Sequence, residues 1–150
     1  MFYIVHILAG AVIAKFFPNI FLIIILGLAS HFLIDAIPHR DSIIDINSFK
    51  KDYKVKITKK TVLFESTEIL LSFPAIVYLQ IYFKSILMLF AIFVSLLPDI
   101  AKVGYLTKLK NNKVFKKYLL FHLKIQTDTS WKIGLLIQAI VIFILIKLLF

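Results

Sequence analysis

At 150 residues, with 61% hydrophobic side chains and a mean hydropathy of +0.94, the chain lies well beyond the roughly 45–50% apolar fraction of soluble domains, which excludes an ordinary soluble fold and predicts one membrane-embedded domain over residues 1–150. The absence of cysteine excludes disulfides and thiolate metal sites, so any metal falls to His, Asp, Glu or backbone oxygen. The net charge of +10 comes from two Lys/Arg blocks set between apolar runs, a distribution that speaks against nucleic acid and for lipid headgroups as counterions.

A helix needs about 20 apolar residues to cross the hydrocarbon core, and five candidates follow in order. The first runs from about Phe2 to Phe17. With no Lys or Arg ahead of its apolar run it is expected to stay as structure and not to be cleaved as a signal peptide. Gly10, Ala11 and Ala14 give it a small-residue face that admits another helix closely. Pro18-Asn19 makes a tight turn. The second candidate, about Asn19 to Ile37, stops where Pro38 removes a backbone donor and biases Ile37 away from helix.

The polar stretch from Arg40 to Lys60 carries Asp41, Asp45 and Asp52 among its lysines and reads as a solvated loop. The third candidate, about Thr61 to Phe83, has Glu65 and Glu68 near its start and Pro74 midway, a kink that a membrane bundle tolerates. Lys84 marks a turn, and the fourth, about Ser85 to Ala101, ends in "LLPDIAK". Within the basic stretch from Lys102 to Lys124, Val114, Phe115, Tyr118, Leu119 and His122 alternate at helical period with lysines, which predicts an amphipathic helix in the membrane surface. Asp128, Thr129 and Ser130 are capping candidates for the last helix, Trp131 to Phe150, with Trp131 at headgroup level and Lys147 snorkelling at the far end. The expected fold is therefore all-α, an integral membrane bundle of about five embedded helices plus one interfacial helix.

If the third and fourth helices form a hairpin, the two basic blocks share a side, and the excess of Lys and Arg makes that side cytoplasmic. The N-terminus is then cytoplasmic, in the inner (cytoplasmic) membrane. This topology gathers His6, His31, Asp35, His39, Glu65, Glu68, Asp99 and His122 in one layer. His31 and Asp35, four residues apart, share a helix face. Imidazole or carboxylate in an apolar layer costs a few kcal/mol, which coordination of an ion offsets. His6, His31, Asp35, His39, Asp99 and His122 are accordingly candidate ligands of a divalent metal, with zinc favoured and manganese or iron also suited to nitrogen and oxygen donors. For His31 and Asp35 the plainer alternative is a hydrogen bond fastening two helices, and for Asp99 a turn cap or a pair with Lys102. Glu68, deeper in its apolar run than Glu65, is the candidate ligand or general base.

"GLASHFLIDAIPH" together with "LLPDI" and "HILAGAVIAKFF" resembles a family of small bacterial and archaeal membrane proteins described as membrane-bound metal-dependent hydrolases. On this chain the family's elements look like His6, Asp99, and the Gly27, Ser30, His31, Asp35 set. The chain departs from the family pattern where Asp99 is followed by Ile100-Ala101 and His39-Arg40 by Asp41-Ser42, so it looks like a reduced relative. The resemblance implies metal-assisted hydrolysis of a lipid-like or phosphoester substrate reaching the site from the bilayer, with Glu68 or a spare Asp taking the proton. The alternatives are a metal or proton transporter, which needs polar groups through the outer half of the bundle, and a structural protein whose polar cluster only clasps helices.

Overall fold

A computed structural model of the chain describes residues 1–40, 58–102 and 112–150. Asp41, Asp45 and Asp52 lie outside the described residues. Six helices account for nearly all of the rest: α1 Tyr3–Phe16, α2 Ile20–Ala36, α3 Lys59–Phe83, α4 Ile86–Lys102, α5 Lys113–Ile125 and α6 Trp131–Leu149.

Local chemistry sets most of the boundaries. Asn19 caps α2 by accepting from the Phe21 and Leu22 amides, and α2 ends at Ala36, with Ile37 extended before Pro38, as the restriction on a residue preceding proline requires. Thr58 caps α3, which therefore begins at Lys59, two residues before the expected start, and runs unbroken through Pro74. Lys84 closes α3 in the left-handed region at φ 49°. Asn112 caps α5 and Ser130 caps α6.

The expected count of five spanning helices needs correction. Among the described residues only α3, with 25 residues, and α6, with 19, are long and apolar enough to cross a membrane. Helix α1 has 14 residues, and α2 and α4 have 17 each; at 1.5 Å per residue they reach about 21 and 26 Å, short of a hydrocarbon core of about 30 Å. Phe17 and Ile37, the apolar residues ahead of Pro18 and Pro38, fall at the caps and add no length to α1 and α2, and α4 is short at its expected 17 residues.

Helix α1 sits at the centre, packed against α2, α3, α4 and α6. Tyr3 bonds Glu65 and Phe64 meets Trp131 at one pole, while Lys15 donates to the Leu148 and Leu149 carbonyls at the other. Thus α1, α3 and α6 start at the pole where α2 and α4 end. The expected small-residue face is buried, and a Cβ on Gly10 would lie 2.8 Å from the Ala91 carbonyl oxygen and from Ile92 Cα. That contact brings the backbones of α1 and α4 together as small residues allow in membrane bundles. Around it Ile7, Leu8, Ile23, Met88 and Ile92 form the apolar core.

The first pole is closed by backbone. The His39 amide donates to the Thr127 carbonyl at 3.0 Å and the Thr129 amide to the His39 carbonyl at 3.2 Å, a parallel bridge between the segments after α2 and before α6. Beside it the buried Gln138 of α6 accepts from the Phe2 amide at 2.8 Å and donates to the Arg40 carbonyl at 3.1 Å.

Candidate metal centre

Four candidate ligands from three helices meet at this pole. His31 and Asp35 of α2, Asp99 of α4 and His122 of α5 are all buried, and one ligand atom from each lies within 4.8 Å of the others. Asp35 Oδ2 is 3.4 Å from His31 Nε2 and 3.1 Å from His122 Nε2. Asp99 Oδ1 is 3.8 Å from the same two nitrogens, and these stand 3.4 Å apart. Zinc bonds to nitrogen and oxygen of about 2.0–2.2 Å span donor pairs up to about 4.4 Å, which covers the four imidazole–carboxylate separations and the imidazole–imidazole one.

The outer hydrogen bonds aim the imidazoles. His31 Nδ1 is 2.8 Å from the Ser95 carbonyl oxygen; a carbonyl only accepts, so Nδ1 carries a proton and Nε2 is the nitrogen turned to the carboxylates. For His122, the Tyr118 hydroxyl donates to the Pro98 carbonyl at 2.6 Å and faces His122 Nδ1 at 3.4 Å, which leaves the hydroxyl oxygen to accept from Nδ1 and directs Nε2 inward. Burial pushes the Tyr118 phenol up to about 12, so it remains a donor. Burial also pushes His122 below its ordinary 6.5, against the opposing pull of Asp35, which favours the neutral ring. In the absence of a cation the His122 Nε2 and Asp35 Oδ2 atoms, 3.1 Å apart, are within hydrogen-bond reach, and a divalent ion bound by the same donors takes the place of that shared proton. The donor set fits a divalent metal.

The remaining candidates are distributed around this group. His6, one turn into α1, has its Nε2 3.3 Å from Asp35 Oδ1 and 4.0 Å from Asp99 Oδ2. Its ring stacks on His31 with centroids 4.1 Å apart. His39 is displaced: its Nδ1 donates to the Ile37 carbonyl at 2.7 Å, and its Nε2 faces the Met1 amine at 2.9 Å, which lies 2.5 Å from Asp35 Oδ1. It reaches the group through that amine. Asp99 also pairs with Lys102 at 2.6 Å, the contact weighed as the plainer reading. Of the two acids on α3, Glu65 takes the Tyr3 hydroxyl at 3.2 Å; Glu68 is half-buried and lies outside the His31, Asp35, Asp99, His122 group. Ser30 bonds back to the Gly27 carbonyl.

Besides the Met1 amine, two further participants are not evident from the sequence. Gln126 donates to Asp35 Oδ2 at 3.4 Å, and the Ser95 carbonyl orients His31; a polar residue next to an imidazole-bearing helix was the signal for the first, and a main-chain group leaves none. On α5, Leu119 and His122 of the expected apolar face are buried against the bundle, and Val114 of the same face is 76% exposed. No family model, curated protein or solved structure matches the chain.

Proposed function

We propose that this chain is a multi-pass membrane metalloprotein, a hydrolase acting at headgroup depth on a lipid-like or phosphoester substrate. In this reading α1, α2 and α4 are embedded beside the two longer helices although shorter than the core. The support is the apolar surface: Phe21, Leu63 and Leu71 are each 70% or more exposed, a surface that water does not tolerate over so many neighbours. Helix α5 lies in the interface, the basic pole faces the cytoplasm, and the N-terminus is on that side. The metal is zinc in preference to manganese or iron.

The observation that carries the reading is the burial of two imidazoles and two carboxylates within 4.8 Å of one another in an apolar bundle. A divalent ion at such a group supplies Lewis acidity toward a phosphoryl or acyl oxygen. Asp35 and Asp99 fix the geometry, and Ser95 and Tyr118 hold the two imidazoles in the ligating tautomer. Lys102, with its side chain 35% exposed and its Nζ on Asp99, lies at the open edge where a phosphate oxygen would be met. Glu68 is assigned the proton-accepting role.

Metal content of protein purified in detergent, beside a His31→Ala, Asp35→Ala double variant, tests the reading. At least one equivalent is expected in the wild type and none in the variant, with metal-dependent turnover of generic phosphoesters or lipid esters. Protein that binds no ion sinks it. The complete shielding of His6, His31, Asp35 and His122 favours one rival, a helix clasp without metal, which expects His31→Asn to be tolerated.

A further inference from the structure

The two carboxylates divide their oxygens in the same way. Asp35 turns Oδ2 toward His31 and His122 and Oδ1 toward His6. Asp99 turns Oδ1 toward His31 and His122 and Oδ2 toward His6. The three imidazoles thus fall into two sets, one on each side of a pair of acids.

His6 cannot complete the first set. An imidazole lone pair lies in its ring plane, and with centroids 4.1 Å apart and planes only 23° from parallel the His6 and His31 rings lie side by side and do not converge on one ion, which sits about 3 Å from the centroid of a ring that ligates it through Nε2. Side by side, the two rings address parallel positions. Their 4.1 Å spacing is close to the roughly 3.5–4 Å between ions in two-metal hydrolytic sites.

His6 also lacks a purely structural explanation. It is fully buried, and among the described residues neither ring nitrogen has a hydrogen-bond partner; the 3.3 Å approach of Nε2 to Asp35 Oδ1 is not aligned as one. Buried imidazole nitrogens left unpaired are costly, and an ion between His6 Nε2, Asp35 Oδ1 and Asp99 Oδ2 removes that cost for Nε2. The separations of 3.3 and 4.0 Å are within the span of about 4.4 Å that two bonds of 2.2 Å cover.

We infer that the centre is dinuclear: Asp35 and Asp99 bridge a four-donor site, with His31 and His122, to a second divalent-metal site of three donors, with His6. The inference rests on the metalloprotein reading above and deepens it. Four protein donors make the first site closed, as structural sites are, and three leave the second with a position for water or a substrate oxygen. The second site is therefore where a phosphoryl or carboxyl oxygen of the substrate would bind, so in a dinuclear centre the Lewis-acid role falls to the second ion and the four-donor ion holds the shared carboxylates in place. The Met1 amine, 2.5 Å from Asp35 Oδ1, shares that oxygen or shifts onto His39 Nε2.

Zinc stoichiometry of the full chain in detergent, for wild type and His6→Ala, separates the outcomes. Two equivalents falling to one in the variant is the expected result. Wild type holding none ends the metalloprotein reading itself. Wild type holding one ends only the dinuclear inference, as does a variant that keeps both ions or, while still helical and monodisperse, loses both. Should His6→Ala fail to fold, the wild type decides alone: loaded with manganese(II), it gives an exchange-coupled electron paramagnetic resonance spectrum if the ions share bridges. An isolated six-line signal overturns the inference.

Discussion

Replacing Gly10 with alanine tests how the backbone contact between α1 and α4 supports the centre. The added Cβ meets the Ala91 carbonyl oxygen and Ile92 Cα at 2.8 Å, 0.6 Å inside the 3.4 Å at which ordinary contact begins. Both atoms are backbone, so no rotamer change relieves them, and α1 must move off α4 by about that distance. Overpacking of this kind costs about 1–3 kcal/mol, offset by about 1 kcal/mol because alanine is the better helix former. A net loss near 1 kcal/mol lowers the melting temperature of a chain this size by about 2–4 °C. The larger effect falls on the metal. Gly10 lies one turn after His6, so the same displacement stretches the 4.0 Å from His6 Nε2 to Asp99 Oδ2 to about 4.6 Å, past the span of about 4.4 Å that one ion bridges. Thermal unfolding in a single detergent, with zinc counted on the same samples, is the assay. Gly10→Ala protein that melts with the wild type and keeps two equivalents would refute the reasoning.

Gly27→Ala brings its Cβ to 2.9 Å from Val94 Cγ1, the end of a side chain; its melting temperature should fall and recover when Val94→Ala is added, a rescue that no side-chain trimming provides at Gly10. Gln138→Leu strands the Phe2 amide and the Arg40 carbonyl, at no more than about 1–3 kcal/mol each since both groups are part-buried; amide exchange at Phe2 should accelerate in step with the fall in melting temperature, and unchanged exchange contradicts the assignment. In the apo protein, burial holds His122 below 6.5, so the unfolded chain takes up that proton first. The contribution to stability is complete above about pH 6.5 and is lost as the pH falls below it, while protons compete with metal for the same nitrogen. Melting temperature and metal retention should decline together from about pH 7 to pH 5, and a flat profile over that range speaks against the tautomer assignment.

Much of the site was legible because its logic is topological. His31 and Asp35 share a face by spacing alone, and counting helix directions brings His6, Asp99 and His122 to the same pole. Prolines and capping residues mark the helix ends to within a few residues. The spanning count was harder to read, since hydropathy does not distinguish an apolar residue in a helix from one in the turn beside it, as at Phe17 and Ile37. Also hidden was the fate of His39, whose ring is captured by a carbonyl two residues away. The division of carboxylate oxygens was out of reach too, because it depends on side-chain torsions and on how α1 and α2 lie against each other. Gln126 and Gln138 were visible as polar residues beside or within apolar runs, yet nothing local indicated which backbone or acid group each would satisfy.

The bridge between His39 and Thr127–Thr129 is made entirely of peptide groups, and this bears on mutational drift. Side chains at Thr127, Asp128 and Thr129 can change widely without loosening the entry to α6, since none of them supplies the hydrogen bonds. The exceptions are imino acids: proline at 129 or 39 deletes a donor, so a tolerance map of this stretch should be broad in chemistry and blank for that one residue.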